Sequence, residues 1–261
     1  MQKPPWPSLG AFILDLDGVV YRGETPIDSA VEAIRRWRRQ SIPFRFVTNN
    51  ASRTRADFAQ KLQRMGIPAE PEHVVGSAYA TAAWLQERYP STTPIHAVGG
   101  PGLYTELKAR GFATVTEGAE VVVVGLDRDF TYEKLRLAVR DILNGAAFVA
   151  TNADPLYPVE DGFDPGGGAL VAAIAKAVEA KTKPVVIGKP EPTMLQLAVT
   201  SMGVPLAETA MIGDQVETDL EAARRAGIYR ILVTTGVPLR PGDEDCTDQI
   251  INNLNEIPSG G

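Results

Sequence analysis

The chain has 261 residues, of which 44% are hydrophobic and 22% are charged, and its formal net charge at pH 7 is -6. This length and composition are typical of a globular protein with one large domain or two smaller ones. The acidic balance argues against a basic nucleic-acid-binding surface, and no apolar run approaches the length of a membrane span.

Cysteine and histidine are scarce, which limits disulfide and metal chemistry. Cys246 is the single cysteine, so no intramolecular disulfide can form, and this fits a reducing compartment. The first ten residues, MQKPPWPSLG, contain too few apolar side chains for a signal peptide, and we therefore expect a cytoplasmic location. Because His73 and His96 are the only histidines, we expect oxygen ligands for any metal, which favours Mg²⁺ over a His/Cys zinc site.

Apolar segments with the pattern of buried strands alternate along the chain with helical patterns. The strand AFIL precedes the helix SAVEAIRRWRRQ, and the strand PFRFV precedes the helix TRADFAQKLQRMG, which Gly66 ends. Further along, the predicted strands are VVVVG, AFVATN, PVVIG, TAMIGD and YRILVTTG, and the predicted helices are TYEKLRLAVRDILNG, GGALVAAIAKAVEA, TMLQLAVTSMG and ETDLEAARRAG. The alternation predicts an α/β fold in which a parallel sheet lies between helices.

The most basic segment is RRWRRQ, which runs from Arg35 to Gln40. It follows the apolar residues Val31, Ala33 and Ile34, and this spacing is typical of the solvated side of an amphipathic helix. The alternative interpretation is a contact with a phosphate backbone.

Four of the predicted strands run directly into polar residues: Asp15, Thr48, Gly188-Lys189 and Gly213-Asp214. In parallel sheets the carboxyl ends of the strands share one edge, and ligand-binding loops collect there. We therefore expect these polar residues to converge on one site.

The segment DLDG places Asp15 and Asp17 one residue apart after the strand AFIL. Residues two apart on a strand project to the same side, and Gly18 lets the backbone turn sharply beside a ligand. An EF-hand loop is excluded because Val19 and Val20 stand where Asp or Asn and Gly are required. An acidic surface turn stays an alternative for this motif taken alone.

Later segments supply a third carboxylate and a cation. In MIGDQVETDL, Asp214 ends a strand and Asp219 lies one turn into the next helix, where Thr218 and Asp219 can also complement the helix dipole. Lys189 in VVIGKP is a natural partner for gathered carboxylates. Short hydrogen-bonding side chains suited to phosphate oxygens follow the strand FRFV, at Thr48, Asn49 and Asn50.

In chain order, DLDGVVYRG, FVTNNAS, VIGKPEP and MIGDQVETDL resemble the four motifs of the haloacid dehalogenase (HAD) superfamily of aspartyl-phosphate phosphatases. VVVGLDRDFTYEKL and FVATNADPLYPVEDGFDPGGGALVAAI further resemble its subfamily IIA, which contains p-nitrophenylphosphatase-, NagD-, pyridoxal phosphatase- and phosphoglycolate phosphatase-like proteins. The resemblance implies a Rossmann-like core with an inserted α/β cap domain of type C2. The chain departs from many relatives at Gln215 and Glu217, which concerns local loop stabilisation or cap contacts rather than the reaction. It also departs at Tyr229-Arg230, to which we assign no function.

The resemblance implies a Mg²⁺-dependent phosphomonoester hydrolase that acts on small phosphorylated metabolites. Asp15 would be the nucleophile that becomes an aspartyl phosphate, and Asp17 would be the general acid and base. Asp15, Asp214 and the backbone carbonyl of Asp17 would hold Mg²⁺, and Lys189 would neutralise further charge. Asp219 would position Lys189 or a metal-bound water. The phosphoryl oxygens would be bound by Gly18, Thr48, Asn49, Asn50 and Lys189.

The chain between Thr48 and Lys189 is far longer than one crossover helix needs. We therefore predict a catalytic core domain at 1–77 and 183–261 and a cap domain at 78–182. Cap loops of similar phosphatases contact the substrate, which makes TNADPLYPVEDGFDPGGG the candidate specificity segment, with Tyr157, Asn152 and Asp154 as its candidate residues. The alternative is a series of simple turns, because the segment is rich in Pro, Asp and Gly.

Two other functions stay open on the sequence. A phosphotransferase would pass the same aspartyl phosphate to an acceptor other than water. A non-catalytic metabolite-binding protein would use a disabled version of the fold, although all the chemical positions are present. The expected partner is a small phosphoester, with no nucleic acid and no membrane, and similar proteins often form homodimers through the cap.

Overall fold

The computed structural model describes residues 6, 8–159, 162–179 and 182–258. The chain forms two compact units. The first unit comprises Met1–Thr48, Ala56–Val75 and Lys189–Gly261, and the second comprises Asn49–Arg55 and Gly76–Gly188. The division into a catalytic core and a cap, with edges after 77 and after 182, stays a prediction.

The described strands are, in chain order, β1 (Ala11–Leu14), β2 (Tyr21–Arg22), β3 (Thr25–Pro26), β4 (Phe44–Thr48), β5 (Val74–Gly76), β6 (Ile95–Val98), β7 (Val121–Val124), β8 (Ala147–Ala150), β9 (Leu156–Val159), β10 (Gly162–Pro165), β11 (Val185–Val186), β12 (Thr209–Gly213), β13 (Tyr229–Val233) and β14 (Gln249–Ile251). The described α-helices are α1 (Asp28–Arg39), α2 (Arg55–Arg64), α3 (Ser77–Gln86), α4 (Pro101–Ala109), α5 (Tyr132–Leu143), α6 (Gly167–Ala177), α7 (Thr193–Met202) and α8 (Glu221–Ala226). A π-helical turn, Val216–Leu220, directly precedes α8.

The sheet of the first unit has the strand order β14-β13-β12-β1-β4-β5. Strand β1 pairs in parallel with β12 on one side and with β4 on the other, and all four of its residues are buried. The chain moves from β1 to β4 and β5 in one direction, and from β12 to β13 and β14 in the other. Strand order therefore reverses between β1 and β12, and such a switch point opens a crevice at the carboxyl ends of the strands. Asp15 and Asp214 follow these two strands.

Helix α1 packs its apolar side onto this sheet. Ala33, Ile34 and Trp37 are fully buried and belong to the same core cluster as Phe12 and Phe46. The Trp37 ring stacks on Phe12 with the ring centroids 4.3 Å apart. A buried tryptophan of this kind stabilises a fold by about 3–5 kcal/mol relative to alanine. The opposite side of the helix carries exposed arginines, as the amphipathic pattern predicts.

The second unit contains a parallel sheet with the order β11-β8-β7-β6. Its strands follow one another in chain order, so this sheet has no switch point. The segment that we interpret from sequence as a loop contains an antiparallel hairpin, in which β9 pairs with β10. The predicted α/β fold class with parallel sheets is confirmed. None of the described helices has the length and apolarity needed to cross a lipid bilayer.

Candidate active site

Lys189 lies between two buried carboxylates of the first unit. Its Nζ donates to Oδ1 of Asp15 at 2.6 Å and to Oδ1 of Asp219 at 2.5 Å. Burial by itself would lower the pKa of Lys189, but the two carboxylates outweigh burial and raise it. The lysine therefore stays protonated and supplies a fixed positive charge beside Asp15.

Asp214 adds a third buried carboxylate to this pair. One carboxylate oxygen from each of Asp15, Asp214 and Asp219 lies within 4.8 Å of the other two. Burial raises the pKa of Asp15 well above its usual value; Lys189 opposes the shift, and Asp219 and Asp214 reinforce it. Burial, followed by the charge of Asp219, raises the pKa of Asp214 to about 6. One ammonium group therefore compensates three carboxylates, and the cluster has an excess of negative charge.

The oxygen atoms of this cluster fit a divalent cation. Oδ2 of Asp214 accepts a hydrogen bond from the backbone N–H of Val237 at 3.0 Å, but its buried Oδ1 has no partner among the described residues. Asp219 uses Oδ1 for Lys189 and Oδ2 for the backbone N–H of Gln215. Buried carboxylate oxygens without a donor are the ligands that hard divalent cations prefer. Asp15 and Asp214 are thus suited to hold a metal ion, while Asp219 holds the lysine.

Two glycines allow the backbone to approach Asp214. A Cβ at Gly18, whose φ is +79°, would lie 2.2 Å from Oδ2 of Asp214, and a Cβ at Gly236 would lie 2.0 Å from the same atom. Any larger residue would push this carboxylate out of place. We identify Gly18 from the sequence but miss Gly236, although its place just after the strand YRILV is a usable signal.

Asp17 lies outside the acidic cluster. Its side chain is exposed, and its Oδ1 accepts a long hydrogen bond, 3.5 Å, from the backbone N–H of Gly23. Partial burial of the carboxyl group nevertheless raises the pKa of Asp17. The hydrogen bond from Gly23 and the charge of Lys61 oppose this shift. A raised pKa suits a carboxylic acid that gives up a proton in a reaction. The predicted metal contact of Asp17, through its backbone carbonyl, stays a prediction.

Lys61 of α2 is a buried cation that we do not identify from the sequence. It binds the hairpin formed by β2 and β3, since its Nζ donates to the carbonyl of Gly23 at 2.7 Å and pairs with Glu24 at 3.1 Å. The ammonium also lies 4.0 Å from the ring centroid of Tyr21. The hairpin that follows Asp17 is therefore held by side-chain contacts.

The predicted phosphate-binding residues of FVTNN divide between the two units. Thr48 is buried at the carboxyl end of β4 in the first unit. Asn49 belongs to the second unit, where its Nδ2 donates to both carboxylate oxygens of Asp154, at 3.1 and 3.0 Å. Asn50 accepts a hydrogen bond from the backbone N–H of Ser52 at 2.9 Å. The phosphate-binding roles of these residues stay predictions.

The candidate specificity residues have different surroundings within the second unit. Asn152 is buried and donates to the backbone carbonyl of Asn49 at 2.7 Å, so it lies with Asp154 in one hydrogen-bonded network. Tyr157 lies on β9, and its hydroxyl donates to Asp164 of the paired strand at 3.0 Å. Glu160 and Asp161 of this segment lie outside the described residues. Only Tyr157 is carried by the hairpin.

A cavity of about 500 Å³ in the second unit is also missed by the sequence analysis. It lies at the carboxyl ends of β6 and β7, and Gly100, Asp127, Arg128 and Lys134 are among its lining residues. Asp127 is buried and accepts from Lys134 at 2.7 Å, and the Arg128 guanidinium lies 5.5 Å from the ring centroid of Tyr157. The polar residues directly after VVVVG are the sequence signal for this cavity.

The departures from the family motifs have local partners. Glu217 pairs with Arg240 at 2.7 Å, and Arg230 pairs with Asp248 at 2.7 Å. Gln215 contributes its backbone N–H to Asp219 at 3.2 Å, a contact that does not depend on its side chain. Both pairs belong to the first unit, and none of their side chains is part of the acidic cluster.

Fold and site together define a class of enzyme. A doubly wound parallel sheet, with buried aspartates after β1 and β12 and a lysine bound to the first of them, is the arrangement that the four sequence motifs predict for haloacid dehalogenase-like hydrolases. The model of the family described as haloacid dehalogenase-like hydrolase matches residues 12–113, and a HAD-hydrolase-like model matches residues 186–257.

Particular relatives cover almost the whole chain. An acid sugar phosphatase from Staphylococcus epidermidis is 40% identical over 228 residues, which are 87% of each chain. The 5'-nucleotidase YutF from Bacillus subtilis is 37% identical over 95% of this chain and 94% of its own. The crystal structure of a thermostable NPPase from Geobacillus stearothermophilus has a TM-score of 0.90 and 38% identity, covering 97% of this chain and 99% of that one. The chain belongs to the haloacid dehalogenase-like hydrolase family, and its predicted membership is confirmed.

Proposed function

We propose that the protein is a Mg²⁺-dependent phosphomonoester hydrolase that acts on small phosphorylated molecules through an aspartyl phosphate on Asp15. The observation that carries this proposal is the buried cluster of Asp15, Asp214 and Asp219, in which the ammonium group of Lys189 binds Asp15 and Asp219. The names of the relatives, an acid sugar phosphatase, a 5'-nucleotidase and an NPPase, support a phosphate ester as the substrate.

Asp15 is the proposed nucleophile because its carboxylate is held in one orientation. The hydrogen bond from Lys189 to Oδ1 restrains the side chain and leaves Oδ2 to attack phosphorus. When bound by Asp15, Asp214 and the Asp17 carbonyl, Mg²⁺ would neutralise the negative charge that otherwise repels a phosphate ester from a carboxylate. Lys189 supplies the second positive charge, and Asp219 keeps it in position.

Asp17 is the proposed proton donor and acceptor. In the first step the Asp15 oxygen bonds to phosphorus, the ester P–O bond breaks, and Asp17 protonates the leaving oxygen. In the second step Asp17 takes a proton from water, the water oxygen bonds to phosphorus, and Asp15 is released with inorganic phosphate. The raised pKa of Asp17 supports this role, since the group must be protonated for the first step.

The remaining predicted residues complete the proposal. The phosphoryl oxygens would be bound by Gly18, Thr48, Asn49, Asn50 and Lys189. The cap at 78–182 would select the leaving group, with Tyr157 as the main candidate and Asn152 and Asp154 as weaker ones. A cytoplasmic location and a homodimer formed through the cap belong to the same proposal; the single cysteine supports the first, and the family resemblance supports the second.

A panel of phosphate esters tests the activity. We expect release of inorganic phosphate from p-nitrophenyl phosphate and from sugar or nucleoside monophosphates with Mg²⁺, and none with excess EDTA. A donor labelled in its phosphoryl group separates hydrolysis from transfer, because a phosphotransferase yields a labelled ester instead of free phosphate. Failure to hydrolyse any ester with Mg²⁺ would favour the non-catalytic alternative.

Asp17→Asn tests the proposed acid and base separately from the nucleophile. p-Nitrophenolate can leave without being protonated, whereas the alkoxide of a sugar phosphate cannot. The variant should therefore still form the aspartyl phosphate from p-nitrophenyl phosphate. It should then accumulate this intermediate, because Asp17 is missing as the base that activates water. With a sugar phosphate, turnover should be lost while phosphate binding is kept. Glu244→Gln, which neutralises an exposed carboxylate of the same unit, is the control. Equal losses on both substrates, without the trapped intermediate, would assign Asp17 a structural role.

A further inference from the structure

A cationic cavity of about 360 Å³ lies in the first unit, at the amino ends of the sheet strands rather than at the carboxyl ends that Asp15 and Asp214 follow. It is lined by Arg38 in the last turn of α1, by Phe44 and Arg45 at the start of β4, and by His73 just before β5. Asp15 and Asp214 follow the carboxyl ends of β1 and β12, whereas this cavity is at the amino end of β4, which runs parallel to them. The two ends of a parallel strand lie at opposite edges of the sheet, so the cavity is separate from the candidate active site.

The histidine in this cavity presents a hydrogen-bond donor to it. The His73 ring stacks on Phe44 with the centroids 5.0 Å apart, and its Nδ1 accepts a hydrogen bond from the backbone N–H of Glu70 at 2.9 Å. A neutral imidazole has only one acceptor nitrogen, so the ring proton is on Nε2. Nη1 of Arg38, which can only donate, is 3.3 Å from that Nε2. Two donors therefore face one another, and an acceptor that binds both would resolve the conflict.

The charges around the cavity have the same sign. None of the described residues that line it is acidic. Nε and Nη2 of Arg45 each bind Ser201 at 2.9 Å, which holds the guanidinium in place. Burial, followed by the charges of Arg45 and Arg38, lowers the pKa of His73, and Glu70 opposes this shift. An arginine in the last turn of α1 also offsets the helix dipole, which explains the exposed Arg39 but not the contact between Arg38 and His73.

We propose that this cavity binds a small oxyanion of the phosphate type, held between the guanidinium of Arg38 and Nε2–H of His73 and beside Arg45. The volume admits inorganic phosphate or a small phosphate ester, and guanidinium and imidazole donors match its oxygen atoms. This site accounts for Arg38 of the basic segment RRWRRQ, and it does not depend on the proposed reaction.

The two histidines of the chain make the test direct. We would titrate the full chain with inorganic phosphate in EDTA, at ionic strength held constant with NaCl, and follow the imidazole signals by NMR. We expect a saturable shift of the His73 signal in the millimolar range and a higher pKa for His73, because a bound anion favours the imidazolium form. His96, which is buried and paired with Asp141 at 2.9 Å, should not move and serves as an internal reference.

Matched variants separate the site from general screening. Arg38→Gln should abolish the saturable shift of His73, while Arg39→Gln, at the next position, which is also exposed, should keep it. A His73 signal that responds equally to NaCl alone, or that still saturates with phosphate in Arg38→Gln, would overturn the proposal. So would a response that appears only with a polynucleotide, which would point instead to the phosphate-backbone contact.

Discussion

Both units bury acidic side chains, but they compensate them differently. In the second unit, each buried carboxylate of the described residues has its own basic partners: Asp127 with Lys134, Asp141 with His96, and Glu106 with Arg55 and Arg110. In the first unit, Lys189 pairs with Asp15 and Asp219, and Asp214 lies beside them without a basic partner of its own among the described residues. Each buried carboxylate of the second unit therefore has a partner of its own, whereas the first unit keeps a surplus of carboxylates over basic partners.

This difference distinguishes structural ion pairs from a candidate active site. A buried charge without a partner is costly in the folded state, so a surplus that persists points to a bound ligand or to catalysis. The strand order of the two sheets also differs. The sheet of the first unit reverses direction between β1 and β12, and the sheet of the second unit does not. If unpaired buried carboxylates form the active site and paired ones stabilise the fold, neutralising a buried acid should change activity in the first unit and stability in the second.

Asp15→Asn is the variant with the largest expected effect. It removes the proposed nucleophile, so kcat for p-nitrophenyl phosphate should fall by about 10⁴-fold or more. In EDTA the melting temperature should not fall, because the substitution removes one of three neighbouring carboxylates from a cluster in which Lys189 keeps its second partner, Asp219. Activity close to that of the unmodified protein would end the nucleophile assignment, and the exposed Glu244→Gln is again the control.

The pH dependence of stability in Asp214→Asn tests the surplus of buried carboxylates in the first unit. The pKa of Asp214 is raised from 3.8 to about 6 in the folded protein, so between these values the unfolded state binds fewer protons and stability declines as pH rises. The variant lacks the Asp214 carboxyl group and should not show this decline. In EDTA, its unfolding free energy should therefore rise relative to that of the unmodified protein by up to about 3 kcal/mol between pH 4 and pH 7. Urea unfolding at each pH measures the difference.

A parallel measurement adds Mg²⁺ near neutral pH. The unmodified protein should be stabilised, because a ligand that binds only the folded state raises its unfolding free energy. Asp214→Asn should show little or none of this stabilisation. If the two proteins respond to Mg²⁺ alike, Asp214 is not a metal ligand.

Asp141→Asn should produce the opposite behaviour in the second unit. Asp141 accepts from Nδ1 of His96 at 2.9 Å and from the backbone N–H of Gly118 at 2.9 Å, and an asparagine amide can accept only one of these bonds. The unfolding free energy should fall by about 1–3 kcal/mol, with kcat/KM per folded molecule unchanged. Glu117→Gln, an exposed position of the same unit, should change neither. A loss of kcat/KM without a loss of stability would break the contrast between the units.

Among the variants of the acidic cluster, Asp219→Asn should lower turnover less than Asp15→Asn does. Lys189 would lose one of its two carboxylate partners, and kcat/KM should fall by about 10–100-fold, as for other residues that position a catalytic group. Because less negative charge would then stabilise the ammonium, the alkaline limb of the pH–rate profile should move to lower pH. Glu217→Gln neutralises an exposed carboxylate two residues away and should leave the profile in place. A reduced rate with an unmoved alkaline limb would contradict the positioning role.

The long, regular elements were predictable from the sequence. The strands around Phe12 and Val122 are continuous apolar runs, the strand YRILV is apolar and buried from Ile231 to Val233, and the helix around Trp37 has a clear apolar face. The two-residue strand β11 lies within the predicted strand PVVIG, whereas β2 and β3 are too short to show a period. The hairpin formed by β9 and β10 was missed because its Pro, Gly and Asp residues are equally typical of turns.

The candidate site was predictable in its residue types but not in its charge balance. Carboxylates and a lysine at the ends of apolar runs identify Asp15, Lys189 and Asp214, because parallel strands share one carboxyl edge. The close approach of Gly236 to Asp214 depends on the path of a loop that no local pattern encodes. The partition of FVTNN, with Thr48 in one unit and Asn49 in the other, was equally hidden.

Local pattern alone established the alternation of strands and helices, the family, and which polar residues stand at strand ends, because these depend on the order of neighbouring side chains. The tertiary structure decided that β1 lies beside β12, that Lys189 binds Asp15 and Asp219 together, and that Asp127 and Asp141 each have a basic partner while Oδ1 of Asp214 has none among the described residues. Burial and electrostatic compensation depend on residues distant in the chain, so they are established only when the sheets form.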